Sequence, residues 1–234
     1  MDCFDTVALL PMKANSERVK GKNFREFAGK PLFRWILESL LSVDAIDRVV
    51  INTDARQVLA DHGLEDGAEN GRVMIRDRKP EICGDLVSMN LVLADDVENV
   101  PAKTYLMTHT TNPLLTSETI ASAIEQYSKG VASGAADSLF TVNPIQTRFY
   151  RADGSAINHD PDNLIRTQDL ELWLEENSNL YVFNKDSFAK TNARIGASPI
   201  LFQMDSTESI DIDDQAQWEL AEAVALYKMG ATNG

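Results

Sequence analysis

The chain has 234 residues, of which 44% are hydrophobic and 25% charged, a composition typical of a globular protein with one sizeable core. Its formal net charge of −14 at pH 7 argues against nucleic acid or an anionic membrane as the main partner, because both require a positive field. The acidic start, the short apolar runs and the two cysteines argue against a secretory leader, a membrane span and a disulfide framework, so the cytoplasm is the expected location.

Apolar, β-branched runs alternate with segments of helical periodicity along most of the chain. The predicted strands are 6–10, 48–51, 73–75, 104–107 and 138–142, and the predicted helices that follow the first four are 32–41, 55–62, 89–97 and 119–127. Further strands are expected at 179–183 and 200–202, before a closing helix at 215–228. This order predicts an α/β fold with a mostly parallel sheet covered by helices on both faces.

One stretch, residues 143–176, is rich in turn-forming residues and has no clear helical face. We interpret it as an insert in a single domain that spans residues 1–234. An insert on such a sheet can complete a substrate pocket or form a dimer contact, although an ordinary surface excursion is an equally good interpretation from sequence alone.

A cluster of positive charge directly follows the first predicted strand. Residues 13–30 contain six Lys or Arg and two Glu, a local excess of +4 in an acidic chain. Ligands of open α/β sheets bind at the carboxyl ends of the strands, so this basic loop is placed to hold an anion such as phosphate. It has neither the Gly-x-Gly-x-x-Gly pattern nor a Walker loop. The alternative is a solvated basic loop that balances the acidic remainder.

Near the other end, the chain carries the closely spaced acids Asp211, Asp213 and Asp214. In an extended segment, alternation would place Asp211 and Asp213 on one face, where they could share one Mg²⁺. Alternatively, Asp213 or Asp214 could cap the closing helix. A basic loop combined with a carboxylate pair indicates a nucleoside triphosphate or a sugar nucleotide as ligand.

Several motifs in the same order make the chain recognisable. They are Leu9–Asn23 with Asn15-Ser16 and Lys22-Asn23, Gly29–Leu32, Asp47–Asp54, Arg78–Glu81 with Gly84-Asp85 and Ser88, Thr111–Leu114, Asn177–Tyr181, and Ser209–Asp213. Together they resemble the cytidylyltransferases that activate acidic sugars, the CMP-acylneuraminate synthetases and, more distantly, the CMP-Kdo synthetases. The resemblance covers nearly the whole chain and implies a Rossmann-like nucleotide-diphospho-sugar transferase fold.

The resemblance also implies roles for individual residues. The nucleotide-binding set is Lys13, Asn15, Ser16, Lys22, Asn23, Arg78 and Ser88. The metal pair is Asp211 and Asp213, which would hold Mg²⁺, and the catalytic set is Lys13, Lys22 and Asp211. The substrate-binding set is His109, Arg166, Gln168 and Asn177. The insert would form a homodimer contact and help to bind the sugar acid.

Two departures from the family pattern stand out. The loop begins with Lys13, a point charge, where the family usually has Arg with its planar fork. His109 stands where many members have a Gln that faces the sugar, which suggests an altered acceptor. A histidine at a strand end that bonds only to backbone is an equally good interpretation.

The function that the resemblance implies is attack by a 2-keto-3-deoxy sugar acid on CTP, which gives a CMP-sugar and pyrophosphate. The sequence does not single out a general base. A glycosyltransferase with an Asp-x-Asp metal site, a CMP-Kdo synthetase-like enzyme and a non-catalytic nucleotide-binding regulator are the alternatives. The sequence does not define which sugar acid is used.

Overall fold

A computed structural model describes residues 3–14 and 19–232 of the protein. The strands are β1 Phe4–Leu9, β2 Glu26–Phe27, β3 Lys30–Pro31, β4 Arg48–Thr53, β5 Val73–Asp77, β6 Ala102–Thr108, β7 Ser138–Ile145, β8 Trp173–Phe183 and β9 Pro199–Gln203. The α-helices are α1 Leu32–Leu41, α2 Arg56–Asp61, α3 Met89–Asn99, α4 Ser117–Ala132, α5 Lys185–Thr191 and α6 Gln215–Thr232. Short 3₁₀ turns lie at Lys22–Phe24, Pro80–Ile82 and Thr167–Asp169.

Seven strands form the central sheet in the order β5-β4-β1-β6-β8-β7-β9. Strand β8 is antiparallel to β6 and β7, whereas the other adjacent pairs are parallel. Strands β2 and β3 form a separate small hairpin. The predicted mostly parallel α/β sheet is therefore confirmed, with one strand reversed.

The sheet is buried on both faces, which explains the continuous apolar runs of its strands. Successive residues of β1 alternate between two hydrophobic cores. Ala8 packs in the core that contains residues of α1, α2 and α4, while Val7 and Leu9 pack in the core that contains residues of α3 and α5. No helix in the part of the chain that the structure describes is both long and apolar enough to cross a bilayer.

A third cluster joins the small hairpin to the last helix. The Phe27 and Trp218 rings meet edge to face with centroids 5.4 Å apart, and both side chains are almost fully buried. Ile212 packs in the same cluster. This packing fixes the segment that precedes α6 against the chain that follows Lys22.

The predicted insert at 143–176 begins and ends inside strands. Residues 143–145 belong to β7 and residues 173–176 to β8, and these two ends pair with each other, as in Asn143 with Glu175. The irregular part is 146–172. The stretch is thus the extended tip of an antiparallel strand pair that is continuous with the sheet.

Candidate active site

The carboxyl ends of the parallel strands surround a cavity of about 270 Å³. Lys13 enters it after β1, Arg78 directly after β5, and His109 directly after β6. Lys22 and Asn23, from the 3₁₀ turn, also line it. The cavity therefore lies where an open α/β sheet binds its ligand, and cations contribute to its lining.

Lys22 connects this cavity to the acidic segment that precedes α6. Its side chain is largely buried, and Nζ donates a hydrogen bond of 2.5 Å to the Ile212 carbonyl. The same nitrogen lies 3.8 Å from Oδ1 of Asp213. The Ile212 amide in turn donates to the Thr111 carbonyl at 2.9 Å. The structure thus brings together the basic loop and the carboxylates, which are 190 residues apart.

The acids of this segment divide into two roles. Asp214 caps α6: Oδ1 accepts from the Gln217 amide at 2.9 Å, and Gln217 Oε1 accepts the Asp214 amide in return at 3.0 Å. Ile212 is fully buried, whereas Asp211 and Asp213 on either side of it are half-buried, with Oδ1 of Asp211 a buried atom. With Asp214 as the cap, Asp213 is the carboxylate beside Lys22, and Asp211 lies two residues before it. Neither is among the described residues that line the cavity.

Asn23 holds two loops of the cavity wall in place. Its Nδ2 donates to the Lys13 carbonyl at 2.9 Å, and its Oδ1 accepts from Oγ1 of Thr110 at 2.6 Å. The side chain is buried while still lining the cavity. Asn23 therefore positions the backbone at Lys13 relative to the strand end at Thr110.

Arg78 is fixed by the ends of two neighbouring strands. Its Nε donates to Oδ1 of Asn52 at 3.0 Å, and its Nη2 donates to the carbonyls of Asn52 and Met12 at 2.8 and 3.2 Å. Asn52 is fully buried and donates from Nδ2 to Oδ1 of Asp96 at 2.8 Å. The guanidinium thus reaches the cavity already oriented by a buried polar chain.

The sequence predicts no role for Asp96 or Asn52. Burial raises the pKa of Asp96 to about 6, against the opposing effects of the Asn52 hydrogen bond and the Arg76 cation. Arg76 binds both Asp95 and Asp96 from β5. One signal was present: two adjacent acids interrupt the apolar periodicity of the predicted helix 89–97, which marks a buried carboxylate with a cationic partner.

Lys13 forms an ion pair with Asp85 at the cavity mouth. Asp85 follows Gly84, whose φ of +111° favours glycine and turns the chain toward the cavity. The Ala14 amide donates to Oδ1 of Asp54 at 2.8 Å, which anchors the start of the basic loop. The sequence predicts no role for Asp85, because the motif Gly84-Asp85 does not indicate its partner.

His109 is held in its neutral form. Burial lowers its pKa to about 3, and the nearby cations Arg194 and Lys22 lower it further. At neutral pH the ring therefore offers one N–H donor and one nitrogen acceptor to a ligand. It adds no positive charge to the cavity.

This depressed pKa gives folding a defined pH dependence. Between pH 6.5 and about 3, the unfolded chain binds a proton at His109 that the folded chain excludes, so this residue makes stability fall as the pH drops through that window. We expect His109→Gln to weaken that dependence, measured as the urea midpoint from pH 8 to pH 4. His159→Gln makes the same exchange outside the cavity and is the matched control. An unchanged pH profile for His109→Gln would contradict the assignment.

Three predicted site residues that the structure describes, Ser88, Gln168 and Asn177, do not line this cavity. Ser88 precedes α3 and lines a neighbouring cavity. Asn177 is buried within the sheet, where its Oδ1 accepts from Thr141 Oγ1 at 2.6 Å, so its amide serves the fold. Gln168 is exposed in the insert. Asn15 and Ser16 lie outside the described residues.

Arg166 is also placed away from the cavity. Its side chain is 73% exposed and binds the Asp169 carboxylate through two hydrogen bonds of 2.7 and 3.0 Å. It belongs to the 146–172 tip and is not among the described residues that line the cavity. Within one copy of the chain, Arg166 is thus not part of the wall of this cavity.

A family model described as cytidylyltransferase matches residues 7–229, and the chain belongs to the cytidylyltransferase family. It is 27% identical to the CMP-N,N'-diacetyllegionaminic acid synthase of Legionella pneumophila, over 92% of this chain and 94% of the relative. It is 22% identical to the pseudaminic acid cytidylyltransferase of Campylobacter jejuni, over 95% of this chain and 96% of the relative.

A solved structure shows the same fold. The CMP:2-keto-3-deoxy-manno-octonic acid synthetase complexed with CTP superposes with a TM-score of 0.67 and 16% identity, covering 96% of this chain and 99% of that one. The Rossmann-like fold expected from the sequence is confirmed.

Proposed function

We propose that the protein transfers CMP from CTP to a nonulosonate, a 2-keto-3-deoxy sugar acid, and releases pyrophosphate. One observation carries the proposal: in a member of the cytidylyltransferase family, Lys13, Lys22 and Arg78 line a cavity at the strand ends. Lys22 also contacts the segment that carries Asp211 and Asp213. Two relatives are named for legionaminic acid and pseudaminic acid, and these names support a nonulosonate as the acceptor.

The cavity has the charge that a triphosphate requires. In a chain of net charge −14, cationic side chains from the basic loop and from the segment after β5 converge on one site. Lys13 is paired with Asp85, so an incoming phosphate would replace that carboxylate as its partner. Phosphoryl transfer is helped chiefly by positioning and charge neutralisation, which fixed cations supply.

We propose Mg²⁺ as the cofactor, held by Asp211 and Asp213. The described residues contain no group of three or more His, Cys, Asp or Glu side chains that could enclose a metal. Two carboxylates fit Mg²⁺, which commonly takes one or two from the protein and completes its shell with substrate phosphates and water. When bound, the ion would neutralise charge on the phosphates. The hydrogen bond from Lys22 to the Ile212 carbonyl, between the two acids, supports this assignment.

In the proposed reaction, the anomeric hydroxyl of the sugar acid forms a bond to the α-phosphorus while the bond to pyrophosphate breaks. The chain positions the two substrates: Arg78 and Asn23 shape the nucleotide side, and neutral His109 offers hydrogen bonds near the acceptor. The geometry does not identify a general base. A His in place of the family's Gln supports an acceptor with a different pattern of donors and acceptors.

We further propose a homodimer that forms through residues 146–172 and works in the cytoplasm, where CTP is supplied. Exposed apolar side chains support this contact: Leu164 is 61% exposed, Ile165 45% and Leu172 48%. Light scattering of the purified protein should give twice the chain mass, and a monomer at assay concentration would contradict the dimer.

The function is tested with purified protein, Mg²⁺, a panel of nucleoside triphosphates and a panel of sugar acids that includes legionaminic, pseudaminic and N-acetylneuraminic acids and Kdo. Pyrophosphate release should require CTP and one of the nonulosonates. Activity with Kdo alone would make the protein a CMP-Kdo synthetase-like enzyme. Sugar transfer from a preformed sugar nucleotide without CTP consumption would replace the proposal with a glycosyltransferase.

A further inference from the structure

A second cavity, of about 340 Å³, adjoins the nucleotide cavity. Met89, at the start of α3, lines both. The rest of its wall includes Ser88, Asn90, Glu176, Ala193, Arg194 and Ile195. The proposed function requires a site for the sugar acid next to the nucleotide, and this cavity adjoins the cavity proposed to bind CTP.

Arg194 is held rigidly in this wall. Its guanidinium stacks over the Tyr181 ring at 4.0 Å from the centroid, and its Nη2 donates to the Tyr181 hydroxyl at 3.0 Å. Glu176 Oε1 lies 3.8 Å from the same nitrogen. The side chain is 20% exposed. An arginine fixed in this way loses little further conformational entropy when it binds a ligand.

The chemistry of the wall fits an acidic sugar with an acylamino group. Arg194 is the cationic side chain among the described residues that line this cavity, and a guanidinium carries five N–H donors in a fork that matches a carboxylate. Glu176 can accept a hydrogen bond from a sugar hydroxyl or amide. Met89, Ala193 and Ile195 offer apolar surface to a methyl group, which a plain polyhydroxy acid lacks.

We propose that this second cavity is the acceptor subsite and that Arg194 binds the carboxylate of the sugar acid. The proposal rests on the proposed function and assigns the carboxylate contact to Arg194 instead of the exposed, Asp169-paired Arg166. The position of His109 agrees with this proposal. His109 lines the nucleotide cavity, and the Arg194 guanidinium is close enough to lower the pKa of the His109 ring. A carboxylate on Arg194 would thus lie beside the nucleotide.

The test compares a sugar acid with its carboxamide, using the panel acid that the wild-type protein converts fastest. Wild-type protein should prefer the acid over the amide by roughly 10- to 100-fold in kcat/KM, since the acid gains a charge-assisted hydrogen bond. Arg194→Ala should lose that preference through a raised KM for the acid, while its KM for CTP stays within about twofold. Arg194→Lys should retain part of the preference because it keeps the charge without the fork.

Two controls make the result specific. Lys129→Ala removes a cation from the exposed surface of α4 and should behave like wild type. Arg166→Ala should keep the preference for the acid. Circular dichroism checks folding, and Arg194→Gln replaces Arg194→Ala if the latter does not fold. An undiminished preference for the acid in Arg194→Ala, or in Arg194→Gln where it replaces that variant, would overturn the proposal while leaving the function intact. Loss of the preference in Arg166→Ala would do the same. Absence of CTP-dependent pyrophosphate release in wild type would overturn both.

Discussion

Replacing Asp211 with Asn should lower kcat by about 10³-fold or more, because a metal ion supplies several kcal/mol of charge stabilisation in such a transfer and each 1.4 kcal/mol is worth tenfold in rate. Asn keeps the size of the side chain, so the packing of Ile212 next to it should persist. The rate is measured as pyrophosphate release under saturating CTP and sugar acid. The urea midpoint, measured in parallel, should stay close to that of wild type.

The same segment provides a matched control for this variant. Asp214→Asn makes the identical exchange three residues away, where the carboxylate caps α6, and Asn caps helices about as well as Asp. We expect near-normal activity and stability from Asp214→Asn. Turnover by Asp211→Asn at the rate of Asp214→Asn would exclude Asp211 as a ligand of the proposed Mg²⁺.

Replacing Lys22 with Ala should lower kcat/KM by roughly 10²- to 10³-fold, the usual effect of removing one fixed donor from a charge-stabilising site. The substitution removes a cation from the cavity and leaves the Ile212 carbonyl without the Nζ hydrogen bond. Loss of that hydrogen bond should also destabilise the fold by about 1–3 kcal/mol. Steady-state kinetics and urea unfolding measure the two effects separately.

Lys20→Ala is the control for Lys22→Ala. Lys20 belongs to the same cluster of positive charge but is exposed and does not line the cavity. If net charge in the loop were the relevant quantity, the two variants would lose activity equally. We expect Lys20→Ala to stay within about twofold of wild type, because an isolated surface charge contributes little.

The alternation of strands and helices could be predicted because a sheet buried on both faces has continuous apolar strands, which differ clearly from the helical periodicity between them. Helix α1 matches the predicted 32–41 to the residue. Helix α5 could not be predicted from periodicity: it has seven residues, and only Ser187 and Phe188 are buried. Its capping box at Asn184 and Ser187 was the available signal. The strand ends of the insert were missed because Pro144 and the acids of β8 do not resemble a strand pair.

The site could be predicted in part. The convergence of Lys22 with the acidic segment follows from the rule that loops at the carboxyl ends of strands meet. The partners of Lys13 and Arg78, which are Asp85 and Asn52, could not be predicted. Each pair is far apart in the sequence and comes into contact only in the folded chain. Arg194 was missed because its stacking on Tyr181 depends on how the segment after α5 packs against β8. Residues that act through tertiary contacts carry no local pattern.

The most direct test of the proposed function follows the phosphorus atoms of CTP. Wild-type protein is incubated with Mg²⁺, a nonulosonate and CTP labelled with ³²P at either the α or the γ position, and the products are separated. We expect the α label in the sugar product and the γ label in pyrophosphate, as attack at the α-phosphorus requires. The γ label on the sugar, or no label transfer with any nonulosonate, would contradict the proposed cytidylyl transfer.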